Sequence, residues 1–128
     1  MLVEVIRERQ KNVLVGCVYR YIKGNLECFR ETLRKQLEQL NTKRHEVLFL
    51  GDLNVDFLKY NDDKQTLESM DMLLDLGYIP LITQATRITY HTSTLSDNTC
   101  ANSPEKVIKS GICLADRFLI IHPISFAL

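Results

Sequence analysis

No apolar run in the chain approaches the roughly 20 residues that a membrane span needs, so no membrane segment is read. The start, Met1-Leu2-Val3-Glu4, lacks a basic stretch ahead of an apolar core. No secretory signal is therefore expected, and the expected location is intracellular, nuclear or cytoplasmic and not secreted. Cys17, Cys28, Cys100 and Cys113 are scattered without a C-x-x-C pair. That spacing argues against a zinc or redox centre and fits reduced, partly buried thiols. Formal net charge is zero. The strongly basic footprint of many nucleic-acid binders is thus missing, which neither requires nor excludes such a partner. Internal repeats, low-complexity tracts and linkers are absent as well. What is there is 128 residues, 45% hydrophobic and 25% charged, the composition of an ordinary single domain.

The chain is organised around Glu46-Val47-Leu48-Phe49-Leu50-Gly51-Asp52-Leu53-Asn54-Val55-Asp56. An apolar run closing on Gly and a carboxylate predicts a buried strand that ends where polar groups begin. Continued alternation would put Asp52, Asn54 and Asp56 on one face. A carboxylate and an amide at a strand end can grip and orient a water molecule. The same residues also make turns, so they equally suit a plain strand ending.

On either side the pattern alternates between strand and helix. Leu2–Arg20 predicts a β-hairpin around the polar Arg7–Asn12. Asn25 is a candidate N-cap for a helix to about Leu40, with Leu26, Phe29, Leu33, Leu37 and Leu40 in one stripe. His45 reads as an exposed loop residue. A second helix, roughly Lys64 to Leu76, is capped by Asp62 or Asp63 and stopped by Gly77, with Leu67, Met70, Leu73 and Leu74 as its core residues. Tyr78–Ile82 is a short strand edged by Pro80. Thr83–Asp97 reads as a long loop with one strand, and Asn98–Ala101 and Val107–Leu114 as strands around a turn at Asn102–Pro104. Strands and helices in this order predict an α/β layered domain. Two helices cover only one face of a sheet, whereas the continuous apolar strands call for both faces to be buried.

Four stretches, in order, carry a resemblance. They are Val15-Gly16-Cys17-Val18-Tyr19-Arg20, Leu48–Asp56, Ala85-Thr86-Arg87-Ile88-Thr89 and Ser93-Thr94-Leu95-Ser96-Asp97-Asn98. The chain resembles the endonuclease/exonuclease/phosphatase superfamily, specifically the endonuclease domain of non-LTR retrotransposons. There the stretches read V-G-x-x-Y-R-P-P, L-G-D-F-N-x-D, P-T-R-x-T and S-x-L-I-D-x-I. The match covers most of this chain and about the C-terminal two-thirds of the family's domain. The resemblance implies an α/β (α+β) fold, here an incomplete four-layer α/β/β/α sandwich, and phosphodiester cleavage with Mg²⁺ or Mn²⁺. Such hard cations prefer carboxylate, amide and water oxygens, and they stabilise the leaving oxyanion.

Residue by residue, the resemblance gives Asp52 the place of the catalytic aspartate that aligns and deprotonates water. Asn54 would hold that water and a phosphate oxygen. Tyr19 would contact the phosphate, and Asp97 would support the family's histidine or metal. Thr86 and Arg87 would approach DNA phosphates. The plainer alternatives are a half-buried strand tyrosine at Tyr19, a turn cap at Asp97 and a solvated arginine at Arg87. Asp56 reads as structural, and no metal ligand is assigned.

Two departures set the expected activity. The family's metal-binding Glu and an early Asn belong to strands before the equivalent of Leu2, and Glu4 is not in their context. The family's closing Ser-Asp-His-Pro is also missing, and His122 follows Ile121 instead of Asp. Leu-Ile-Ile-His encoded CTG-ATC-ATC-CAT, preceded by TTT and read one base earlier, spells Ser-Asp-His-Pro. Residues from about Arg117 onward are therefore expected to be out of frame. The expectation is a truncated, retrotransposon-derived DNA endonuclease domain with impaired catalysis and a sheet face free to self-associate. The alternatives are a non-enzymatic relic or scaffold, or a phosphatase-type relative.

Overall fold

The computed structural model describes residues 1–115, 118–121 and 125–126, those after 111 as backbone. The out-of-frame expectation and the rejected histidine rest on Arg117 and His122, which lie outside the described residues. Strand β1 (Leu2–Val5) pairs antiparallel with β2 (Asn12–Tyr19), as the hairpin reading requires. Next, β2 runs parallel to β3 (His45–Asp52). Parallel neighbours need a long crossover, and helix α1 (Leu26–Gln39) supplies it. Asn25 caps α1 by accepting from Cys28 N at 2.9 Å, and Leu33 and Leu37 are buried on the predicted stripe. After β3 come a 3₁₀ turn (Phe57–Lys59) and helix α2 (Lys64–Asp75), capped by Asp63. Then follow β4 (Ile79–Pro80), the hairpin β5 (Arg87–Ile88) and β6 (Ser93–Thr94), and β7 (Asp97–Ala101). Strands β8 (Val107–Lys109), β9 (Ile112–Ala115), β10 (Phe118–Ile121) and β11 (Ser125–Phe126) form two small antiparallel pairs, β9 with β10 and β8 with β11. The main sheet has the order β1-β2-β3-β7-β4 and is mixed, so the chain is α/β with helices against a mixed sheet, consistent with an incomplete α/β sandwich.

The main core lies between that sheet and the helices. Leu14, Val47 and Phe49 pack with Leu33, Leu37, Met72 and Leu73, and the Phe49 ring meets Tyr78 at 5.4 Å between centroids. Residues of the opposite parity, Val15, Cys17, Leu48 and Leu50, face away from the helices. At the β1 edge, Val3 and Val5 are 49% and 43% exposed. At the end of the sheet far from Asp52, Glu46 is buried and takes ion pairs from Arg7 (2.6 Å) and Lys106. Burial pushes its carboxyl up, but the hydrogen bonds from Lys106 and Arg7 more than offset this and leave it below the ordinary value.

Four expectations are corrected. The buried residues of α2 are Thr66, Ser69, Met72 and Leu73, while Leu67 and Leu74 are 42% and 46% exposed. Thr66 and Ser69 satisfy their hydroxyls locally, on Asp63 (2.7 Å) and Gln65 O (2.8 Å). Small polar residues can therefore be buried on this helix, and the buried stripe rotates. His45 is the first residue of β3, not a free loop residue, and its Nε2 lies 3.0 Å from Glu4 Oε1. The 83–97 segment holds the two-stranded β5–β6 hairpin rather than one strand. Finally, β3 stops at Asp52. Asn54 has φ +48°, a left-handed turn conformation, so Asp52, Asn54 and Asp56 do not share one extended face.

Candidate functional site

Three strands of the main sheet reach the same edge. Tyr19, the last residue of β2, is paired with Asp52, the last of β3, and Asp52 is paired with Asp97, the first of β7. Directly opposed residues on adjacent strands project to the same face. The register thus sets a tyrosine and two carboxylates in one row, about 10 Å from end to end at the usual strand spacing. Gly51 fixes this approach. A Cβ there would lie 1.7 Å from the Val18 carbonyl oxygen, at φ +154°, so only glycine lets β3 finish against β2.

Asp52 is held from two sides. Its Oδ1 accepts the Asn54 backbone N–H at 2.9 Å, closing an Asx turn, and its Oδ2 takes the Arg87 guanidinium. Asp97 accepts the buried Thr86 hydroxyl at 2.9 Å and the Ser96 hydroxyl at 3.4 Å, and Arg87 Nε lies 3.5 Å away. Asp97 is therefore not a cap for Asn98. That residue is buried and clamps Ile82 through both its amide atoms, at 3.1 and 3.0 Å. Tyr19 is 67% exposed, which rules out the half-buried strand tyrosine. Arg87, the sequence's candidate for a phosphate contact, instead spans Asp52 and Asp97 with its side chain 49% exposed. Asp56 is structural as read, accepting from Leu58 N and Leu95 N.

Asn54 donates its Nδ2 to Arg20 O at 2.6 Å. Its Oδ1 has no protein partner among the described residues. Arg20 is the residue that reading the sequence missed. It is 8% exposed, and its guanidinium donates to Leu53 O (2.8 Å), Asn54 O and Gly24 O (3.1 Å). Its backbone N–H donates to Asp52 O at 3.0 Å. One buried arginine thus stitches the Asp–Asn turn to the loop after β2. The available signal was its place directly after Tyr19 in the V-G-x-x-Y-R stretch.

The implied magnesium or manganese ion can be tested against these atoms. Among the described residues, no three His, Cys, Asp or Glu side chains converge, and both Asp52 and Asp97 are already engaged by Arg87. The described residues do not by themselves fit a divalent-cation site. Neither described histidine near a carboxylate or hairpin serves Asp97. His45 pairs with Glu4 at the far end of the sheet, and His91 sits at the β5–β6 tip, its N–H on Thr89 Oγ1 at 3.3 Å. No described helix is long and apolar enough to cross a membrane.

No protein family and no curated protein matches the chain by sequence. Solved structures do match by fold. The endonuclease domain of TRAS1, a telomere-specific non-LTR retrotransposon, superposes with a TM-score of 0.65 at 18% identity, over 87% of this chain and 54% of that domain. An endonuclease/exonuclease/phosphatase family protein from Leptotrichia buccalis superposes with a TM-score of 0.61 at 14% identity, over 98% of this chain and 53% of that protein. The chain spans about half the length of each, less than the two-thirds expected from the motifs. Over that half it has the fold of a non-LTR retrotransposon endonuclease domain and of the endonuclease/exonuclease/phosphatase proteins.

Proposed function

We propose that the chain is part of a retrotransposon-type DNA endonuclease domain, keeping the Asp–Asn half of a phosphodiester-cleaving centre with impaired catalysis. The observation that carries this reading is the row Tyr19–Asp52–Asp97 at one sheet edge, in a fold shared with an endonuclease domain. In this reading Asp52 accepts a proton from the attacking water, and Asn54 Oδ1 orients that water. Tyr19 reaches a phosphate oxygen from β2, and Thr86 keeps Asp97 oriented through its hydroxyl. Impairment is supported by Arg87, whose one positive charge is shared between the two carboxylates, and by an Asp97 bonded, among the described residues, to Thr86, Ser96 and Arg87 rather than to a histidine. Groups that act as a unit lose most of their rate together. A Mg²⁺ or Mn²⁺ ion would need ligands beyond Asp52 and Asp97.

The test is nicking of supercoiled plasmid in Mg²⁺ or Mn²⁺, with Asp52→Ala as the comparison. The expected result is nicking no faster than the variant, together with DNA binding. Nicking abolished by Asp52→Ala overturns the impairment, and no DNA binding at all overturns the reading and leaves a scaffold. The Leptotrichia neighbour gives a specific ground for a phosphatase-type alternative, for which phosphomonoester hydrolysis without nicking would be the signature. The half-exposed Val3 and Val5 at the β1 edge support self-association, which sedimentation at several concentrations tests. A nuclear or cytoplasmic location goes with a DNA substrate.

A further inference from the structure

Beside the carboxylate row lies a second opening that none of the roles above uses. A groove of about 310 Å³ runs between the loop after β2 and the first turns of α1, lined by Tyr19, Tyr21, Cys28, Phe29 and Thr32. Tyr19 is common to this groove and to the row with Asp52 and Asp97. The loop carries an unusual surface. Tyr21 and Ile22 are 60% and 63% exposed, next to Tyr19 at 67%. Large apolar side chains clustered on a surface mark a contact site more often than chance. The loop holds a defined shape, because Gly24 N–H bonds Tyr21 O at 2.9 Å and the Arg20 guanidinium bonds Gly24 O and Tyr21 O. The same guanidinium bonds Leu53 O and Asn54 O, so the groove wall and the Asp–Asn turn are one tied unit. Lys23, exposed in the same turn, adds positive charge.

An aromatic wall, rigidly joined to a phosphate-facing row and sharing one tyrosine with it, has the chemistry of a base platform. We propose that Tyr21 and the groove floor at Phe29 form a nucleobase-stacking subsite, which takes an unstacked base adjoining the phosphate that lies at Tyr19 and Asp52. This deepens the proposed function and rests on it for the position of the phosphate. Stacking needs only a π-face, so the subsite accepts any base of a single-stranded or locally opened strand. The first resembling stretch ends in Pro-Pro in the family pattern where this chain has Tyr21-Ile22. The subsite therefore belongs to this chain's own residues.

The chain has no tryptophan, so Tyr21→Trp installs a single indole reporter at the groove. The whole chain carrying Tyr21→Trp is titrated, without divalent cation, with an eight-thymidine oligonucleotide and with an abasic strand of equal length. Quenching by the thymidine strand alone is expected. Quenching by neither strand, or equally by both, overturns the subsite. In parallel, Tyr21→Ala is expected to bind the thymidine strand about tenfold more weakly while its affinity for the abasic strand stays unchanged. An unchanged thymidine affinity overturns the proposal. Tyr21 is exposed, so both variants are expected to fold, which an unchanged urea midpoint confirms. Failure of the endonuclease reading looks different, because binding of the abasic strand is then missing in the parent chain as well.

Discussion

Replacing Arg20 by Met keeps the length of the side chain and removes the guanidinium that bonds Leu53 O, Asn54 O and Gly24 O. Hydrogen bonds from a charged donor contribute about 1.5–3 kcal/mol each, and those from one group do not add fully. Leu53 is buried and Asn54 partly so, which makes their carbonyls expensive to leave without a donor. A loss of about 3 kcal/mol is expected, a large share of the roughly 5–15 kcal/mol that stabilises a domain. With a urea slope of about 2 kcal/mol per molar, the midpoint falls by about 1.5 M. Arg20→Lys should recover only part of this, since an ammonium is a point donor and cannot hold several carbonyls in a fixed fork. The measurement is a urea titration followed by far-ultraviolet circular dichroism, with slopes compared to confirm that the same transition is observed. A midpoint for Arg20→Met within about 0.3 M of the parent would refute the reasoning, and with it the claim that Arg20 ties the Asp–Asn turn to the groove.

Other perturbations test separate parts of the structure. Gly51→Ala should abolish cooperative folding or soluble expression, because its Cβ would enter the Val18 carbonyl; a normal melt would show that β2 and β3 do not meet as described. Thr86→Val should cost about 1–2 kcal/mol in the same titration by stripping Asp97 of its buried donor. Glu46 has a folded pKa below its ordinary 4.5, so its contribution is complete above that value and is lost as pH falls through the lower folded one. The parent should therefore lose more stability between neutral pH and pH 3 than Glu46→Gln does, and equal acid sensitivity would contradict the buried pairing. Asn25→Ala should cost about 1 kcal/mol and leave the slope unchanged, as loss of an N-cap does.

Much of this architecture was legible in the residues, for local reasons. The α1 stripe from Leu26 to Leu40 and its Asn25 cap depend on spacing and on one short polar side chain, and both are found. The β3 run is apolar because it is buried on both faces, Val47 and Phe49 in the core with the helices and Leu48 on the opposite side. What could not be read depends on partners distant in sequence. The α2 stripe shifted because Thr66 and Ser69 bond their own turn, which hydrophobic periodicity does not register. The row Tyr19–Asp52–Asp97 is a matter of register across three strands, separated by as many as 78 residues from Tyr19 to Asp97, and no local pattern encodes it. Arg20 looked like a charged residue at a strand end, and only the fold places four carbonyls around it. Arg87 appeared available for phosphate because its carboxylate partners lie at the ends of other strands.

The contact between Gly51 and Val18 has a consequence for how much the surrounding sequence is free to vary. It is main chain against main chain, so it asks for a hydrogen at one position and imposes no side chain on the other. A carboxylate set on such a support keeps its place while its neighbours drift, much as a bolt hole drilled in the frame survives any change of panel. Every side chain around such a support is then open to substitution, while the one glycine is not.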